Sequence, residues 1–167
     1  LIVNRATCNI VGSRGIRSIP VEEFCMGPGQ NILENDELLV SLSFPKPEPN
    51  FGARYIRFTP RDEMDIAVAG AGVSITLENE VIKSICVVLA SVAPTPLLVK
   101  EITEELTDTK LSPETLSRAG ELAKQAARPI TDMRGTIEYR KHLSDVLTKR
   151  ALADSIQRTK GEKINGN

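Results

Sequence analysis

Residues 66–92 read IAVAGAGVSITLENEVIKSICVVLASV. Ala67, Ala69, Ala71, Val73, Ile75 and Leu77 are apolar at every second position, a period of two that a strand gathers onto one face. The intervening Gly70, Gly72, Ser74 and Thr76 are small, so a neighbouring group is expected to pack close to the backbone on that side. Glu78-Asn79-Glu80 is a turn signal, which makes 81–92 the returning strand of a hairpin. Past it the apolar period lengthens to that of a helix. Thr95-Pro96 predicts a first helix start, a capping hydroxyl followed by proline. Ser112-Pro113-Glu114 repeats that signal for a second helix running to about Arg128 and stopped by Pro129. Thr136 can cap a third, whose Tyr139, Leu143, Val146, Leu147 and Ala151 form a core stripe. Strands first and helices second predict an α+β fold, an antiparallel sheet with a three-helix bundle on one face.

Upstream, 1–11 is β-rich, Gly12-Ser13-Arg14-Gly15 is a turn, and 16–21 reads as a strand. Gly27-Pro28-Gly29 is a rigid turn. Residues 37–45 alternate, with Leu38, Val40, Leu42 and Phe44 on one face. Glu37, Ser41 and Ser43 lie on the other, where Leu39 is the single apolar exception. The proline-rich 46–52 reads as a linker. Residues 53–59 form a strand placing Tyr55 and Arg57 on one face and Ile56 and Phe58 on the other. The expected organisation is therefore 1–45, a linker at 46–52, a sheet-and-helix domain at 53–157, and a polar, frayed tail at 158–167. The chain opens on Leu1 within a strand-like run, the expectation for a piece of a longer protein.

A chain of 167 residues can bury roughly 70% of its unfolded surface without disulfides or metal. Its net charge of −1 gives no electrostatic case for nucleic acid or an anionic membrane. No apolar run approaches the ~20 residues of a membrane span. Cys8, Cys25 and Cys86 are widely separated and read as reduced, mostly buried thiols of a cytoplasmic protein, with no metal site. His142 is the only histidine, which excludes a histidine-based metal site.

Four stretches together carry a resemblance. They are EEFCMGPGQNILENDELLVSLSFP (22–45), YIRFTPRDEMDIAVAGAGVSI (55–75), VAPTPLLVKEITEEL (92–106) and RPITDMRGTIEYRKHLSDVLTKRAL (128–152). In this order and spacing, over 21–153, the chain resembles the C-terminal part of the FAD-binding (medium) subunit of molybdenum hydroxylases, the xanthine dehydrogenase and aerobic carbon monoxide dehydrogenase family. The resemblance implies that 1–45 is the end of an α+β flavin-binding domain and 53–157 the C-terminal domain. It also implies an oxidoreductase complex in which FAD collects electrons from iron–sulfur centres and passes them to an acceptor. The partners implied are an iron–sulfur small subunit and a large subunit carrying molybdopterin.

By the same resemblance, Leu39 matches a leucine that touches the isoalloxazine, and Arg57 a basic position near the pyrimidine edge. Tyr55, on the face of Arg57, is a packing or positioning neighbour of the ring. No catalytic residue and no metal ligand is assigned. The family's two glycine-rich pyrophosphate loops would precede Leu1, so the isolated chain is expected not to hold FAD tightly. The alternative is a scaffold or subunit-docking module without a cofactor of its own. Of the remaining charged groups, Asp132 with Arg134 and Arg61 with Asp65 read as local pairs or caps. Glu101, Glu104, Glu105 and Asp108 read as a solvated helix face.

Overall fold

The computed structural model describes residues 1–61 and 65–162. After a short 3-10 turn at Ile2–Asn4, strands β1 (Thr7–Gly12), β2 (Gly15–Pro20), β3 (Cys25–Gly27), β4 (Gln30–Asn31) and β5 (Leu38–Ser43) make up the N-terminal part. β1 lies between β2 and β5 in an antiparallel sheet, and β3 and β4 form a separate hairpin. Pro28 and Gly29 close that hairpin, with Gly29 at φ +69° where a side chain would be strained. The opening residues are thus a 3-10 turn followed by a strand rather than one continuous β run.

The second sheet contains β6 (Phe51–Phe58), β7 (Ala69–Glu78), β8 (Val81–Ala90) and β9 (Leu97–Leu98), all antiparallel in that order. The period-two face is as expected: Ala69, Ala71, Val73 and Ile75 are fully buried beneath the helices. Asn79 and Glu80 turn β7 into β8 with both φ angles positive, the two-residue geometry that matches strand twist. β6 begins two residues earlier than predicted, taking Phe51 and Gly52 out of the linker.

Three helices cover one face of this sheet: α1 (Lys100–Leu106), α2 (Pro113–Ala126) and α3 (Ile137–Thr159). α3 crosses β6 and β7, α1 lies on β8, and α2 packs mainly on its two neighbours. Ser112 and Thr136 cap α2 and α3 as expected, accepting from the Thr115 and Tyr139 N–H groups. The first helix does not start at Thr95-Pro96. Leu97 and Leu98 instead pair with Leu89 and Val88 at the sheet edge, and Val99 donates to the Val87 carbonyl. Two leucines that extend an apolar sheet outweigh one capping hydroxyl, and α1 starts at Lys100 without a side-chain cap.

α3 approaches the sheet through small residues. Ser144, Thr148, Ala151 and Ser155 recur every three or four positions, all fully buried, and the Ser155 hydroxyl donates to the Val73 carbonyl at 3.2 Å. Leu143 and Leu147 belong to the core as predicted, but Tyr139 is 41% exposed and stands edge-on to Phe58 at 6.2 Å. The helix also runs past the predicted tail boundary, and Arg158 donates to the Ala53 carbonyl at 2.7 Å. Residues 163–167 of that tail lie outside the described residues.

Two ion pairs pin loops. Arg17 donates from two nitrogens to Glu37, both at 2.7 Å, and Glu37 also accepts from the Glu34 N–H. These bonds hold the Glu37 carboxyl down at about 2, against an ordinary 4.5. The folded value lies below the unfolded one, so the contribution to stability is fully present above pH 4.5 and is lost as pH falls toward 2. Glu37→Gln is expected to flatten the pH dependence of the denaturation midpoint across that window. Identical slopes in the parent and the variant would remove this role from the pair.

The second pair was read from sequence as Asp132 with Arg134. Only the Arg134 backbone N–H bonds Asp132; the guanidinium that forks onto the carboxylate belongs to Arg140, with both contacts at 2.7 Å. Arg61 and Asp65 do form the local pair expected of them, through the Arg61 N–H at 3.1 Å. The acidic residues of α1 are exposed, and Glu105 ties α1 to α2 through Arg118.

Candidate functional site

The face of the second sheet that carries no helices presents Phe51, Ala53, Tyr55 and Arg57 from β6, opposite Thr76, Ser74, Gly72 and Gly70 of β7. The expected close packing over the small residues is supplied by Tyr55 and Val3. A Cβ added to Gly70 would stand 2.6 Å from the Tyr55 hydroxyl oxygen, and one on Gly72 would stand 3.4 Å from Val3 Cγ1. Two missing side chains therefore let the Tyr55 ring lie along the strand backbone. The residue is still 54% exposed, and Arg57 lies exposed one step along the same face.

Leu39 is not with them: it is on β5 of the first sheet. Its orientation also differs from the sequence reading. The β1–β5 register shifts so that Asn9 faces Ser41 while Ile10 faces Leu39, which leaves Val40 as a bulged extra residue. The bulge reverses the alternation. Leu39 shares a face with Leu42 and with the buried Cys8 and Ile10, whereas Ser41 and Ser43 accept from Asn9 on the opposite face. Leu39 and Leu42 are accordingly 39% and 37% exposed, against 72% and 62% for Leu38 and Val40. The apparent apolar exception is a leucine on the apolar side of a bulged strand.

The thiols of Cys86 and Cys8 are held in their protonated, weakly nucleophilic form. Burial pushes the Cys86 thiol up to about 11, and burial raises Cys8 as well, with a smaller contribution from Cys25. Cys25 is exposed, contrary to the reading of three mostly buried thiols. Among the described residues no cluster of histidine, cysteine and carboxylate side chains could hold a metal ion. Several first-turn N–H groups of the longer helices bond cap side chains. Thr115 N bonds Ser112, while Ile137 N and Tyr139 N bond Thr131 and Thr136.

Sequence reasoning missed Arg140, which is 4% exposed and also donates to the Val68 and Ser91 carbonyls at 2.7 and 3.1 Å. Its signal was a charged residue four positions before Ser144 on the stripe that faces the sheet. It also missed a cavity of 530 Å³ between the start of β6, the hydroxyl-bearing part of β7 and β8, and residues 3–5.

The profile of the family described as the CO dehydrogenase flavoprotein C-terminal domain matches residues 54–155. The chain belongs to this family. The xanthine dehydrogenase FAD-binding subunit of Escherichia coli O157:H7 is 28% identical over 162 residues, which is 96% of this chain and 56% of that subunit. The carbon monoxide dehydrogenase medium chain of Afipia carboxidovorans is 30% identical over 155 residues, covering 93% of this chain and 54% of that one. Among solved structures, a carbon monoxide dehydrogenase from Hydrogenophaga pseudoflava superposes with a TM-score of 0.89 at 26% identity, over 94% of this chain and 54% of the matched chain. The chain thus spans about half the length of the relatives it matches. The family match begins in β6 and ends in α3, so it takes in Tyr55, Arg57 and the Arg140 lock.

Proposed function

We propose that this chain forms the C-terminal part of an FAD-carrying subunit in a molybdenum hydroxylase complex, where it supplies a wall of the flavin pocket. The observation that carries this reading is the family match laid over a sheet face where Gly70 and Gly72 keep Tyr55 flat and exposed beside Arg57. These residues fit a planar ring with a polar edge: Tyr55 offers an aromatic surface, and Arg57 a permanent cation within the same strand face. They do not fit a diphosphate, which other parts of the subunit would hold. β5 supports the same reading, since all six of its residues are exposed although four are apolar. An exposed apolar edge strand calls for a covering segment. In the relatives, roughly as much chain again is available to provide one.

Bound FAD supplies the exchange between one-electron and two-electron carriers. Arg57 stabilises negative charge on the pyrimidine side, Tyr55 positions the ring, and Leu39 packs against it from the first sheet. Residues 1–45 then finish the flavin-binding domain, 46–52 link it, and 53–157 form the C-terminal domain. The partners are an iron–sulfur small subunit and a molybdenum-bearing large subunit, all in the cytoplasm. None of the helices among the described residues is long and apolar enough to cross a membrane.

The polypeptide that carries this chain in its cell should purify yellow with one FAD per copy, whereas a colourless, folded product would favour a docking module without a cofactor. In the yellow protein, Arg57→Met is expected to lower the flavin reduction potential by roughly 30–60 mV, equivalent to about 1.4–2.8 kcal/mol for a two-electron couple. Spectroelectrochemical titration measures it. An unchanged potential would leave Arg57 as an ordinary surface arginine.

A further inference from the structure

The 530 Å³ cavity opens beside the start of β6, floored by the helix-free face of the second sheet and reaching round to Gly52 and to Arg158 of α3; Tyr55 and Arg57 do not line it. Its volume falls within the range of small-molecule pockets, roughly 300–1,000 Å³. The floor consists of hydroxyls from adjacent strands: Ser74 and Thr76 of β7 and Ser84 of β8, with Thr76 directly opposite Ser84 in the register. Ser74 and Thr76 are only 6% and 8% exposed, and their hydroxyls line the cavity. Neither oxygen is a buried orphan; both open into the cavity, where a ligand can bond them.

The walls are apolar, with Val3, Phe44 and Phe51 among them. The rim is cationic. Arg5, Lys46 and Arg158 line it against the single carboxylate Glu48, which leaves two net positive charges. Arg5 is held at φ 51°, a left-handed conformation uncommon for arginine, at the end of the 3-10 turn that packs on β7 and β8. Aromatic walls suit a flat apolar body, and a rim of guanidinium and ammonium groups suits one carboxylate. The polar floor distinguishes this cavity from a gap that a hydrophobic side chain would fill.

We propose that this cavity is a binding site for a small amphiphilic carboxylate, its planar body between Phe44 and Phe51 and its anionic end at the arginine-bearing rim. The site is separate from the flavin wall and does not depend on that assignment. A ligand seated here touches Phe51 and Ala53 of the strand that carries Tyr55 and Arg57.

The test is calorimetric titration of the purified polypeptide that carries this chain in its cell with 2-naphthoate, and with 2-naphthamide as the uncharged analogue of the same shape. One-to-one saturable binding of naphthoate is expected, with the amide at least about tenfold weaker because it lacks the charge-assisted contact. Arg5→Asn keeps a residue that tolerates positive φ and should weaken naphthoate by about tenfold. Thr76→Val keeps the shape, removes only the hydroxyl and should weaken it several-fold. Circular dichroism confirms that both variants fold. Lack of saturation, equal affinity for the amide, or unchanged affinity in both variants would each overturn the proposal.

Discussion

Gly52→Ala is expected to destabilise the fold by about 3 kcal/mol, lowering the thermal midpoint by roughly 10 °C. Gly52 is on the helix side of β6, opposite Ile75, beneath the α3 backbone at Ser155 and Thr159. A methyl group there would run into the Ser155 carbonyl oxygen and approach the Ser155 carbonyl carbon and the Thr159 nitrogen at 3.0 Å each. All three atoms are backbone, so no rotamer change or trimmed side chain on α3 relieves the clash. Either the helix or the strand must shift, and the small-residue seam of Ser144, Thr148, Ala151 and Ser155 would open with it. Differential scanning calorimetry of parent and variant decides the matter. A midpoint within a degree or two of the parent would mean that α3 is not seated against β6 as described. Ser155→Ala serves as the comparison, because it removes the bond to the Val73 carbonyl without adding volume and should cost only about 1 kcal/mol.

Arg140→Met should cost about 3 kcal/mol by a different route. One buried guanidinium satisfies the Asp132 carboxylate and the carbonyls of Val68 and Ser91, which tie the first turn of α3 to the start of β7 and the end of β8. Methionine fills much of the space yet leaves these acceptors unmet. Arg140→Lys should rescue little, since a single ammonium cannot fork onto a carboxylate while also reaching two carbonyls. Urea denaturation of the three proteins separates the alternatives: a lysine variant as stable as the parent would show that only charge mattered. Hydrogen exchange offers a local check. The Asp132–Gly135 turn, closed by backbone bonds in both directions, should lose protection first in the methionine variant.

The two positions differ in how visible they were. Gly52 fell inside a stretch read as linker, and nothing in its neighbourhood revealed that a helix more than a hundred residues later would press on it. Arg140 sat in a helix that had been recognised, but a charged residue beside an apolar stripe reads as solvated until its partners are known. The candidate ring-facing residues were only partly legible. Tyr55 and Arg57 fall on one face by simple alternation, and the small residues at 70 and 72 signalled close packing that Tyr55 and Val3 supply. The face of Leu39 could not be read, because one bulged residue at Val40 inverts the alternation and only pairing with β1 reveals it.

By itself, the sequence determined the hairpin of β7 and β8, the capped starts of α2 and α3, and the α+β order of elements. Those features are local: side-chain periodicity, a two-residue turn and hydroxyl caps act within a few residues of one another. The tertiary structure alone decided the start of α1, the phase of β5, the partner of Asp132 and the existence of the hydroxyl-floored cavity. Each of these is a competition or a meeting between segments distant in the chain. Its outcome depends on which surfaces arrive side by side, and local patterning carries no record of that.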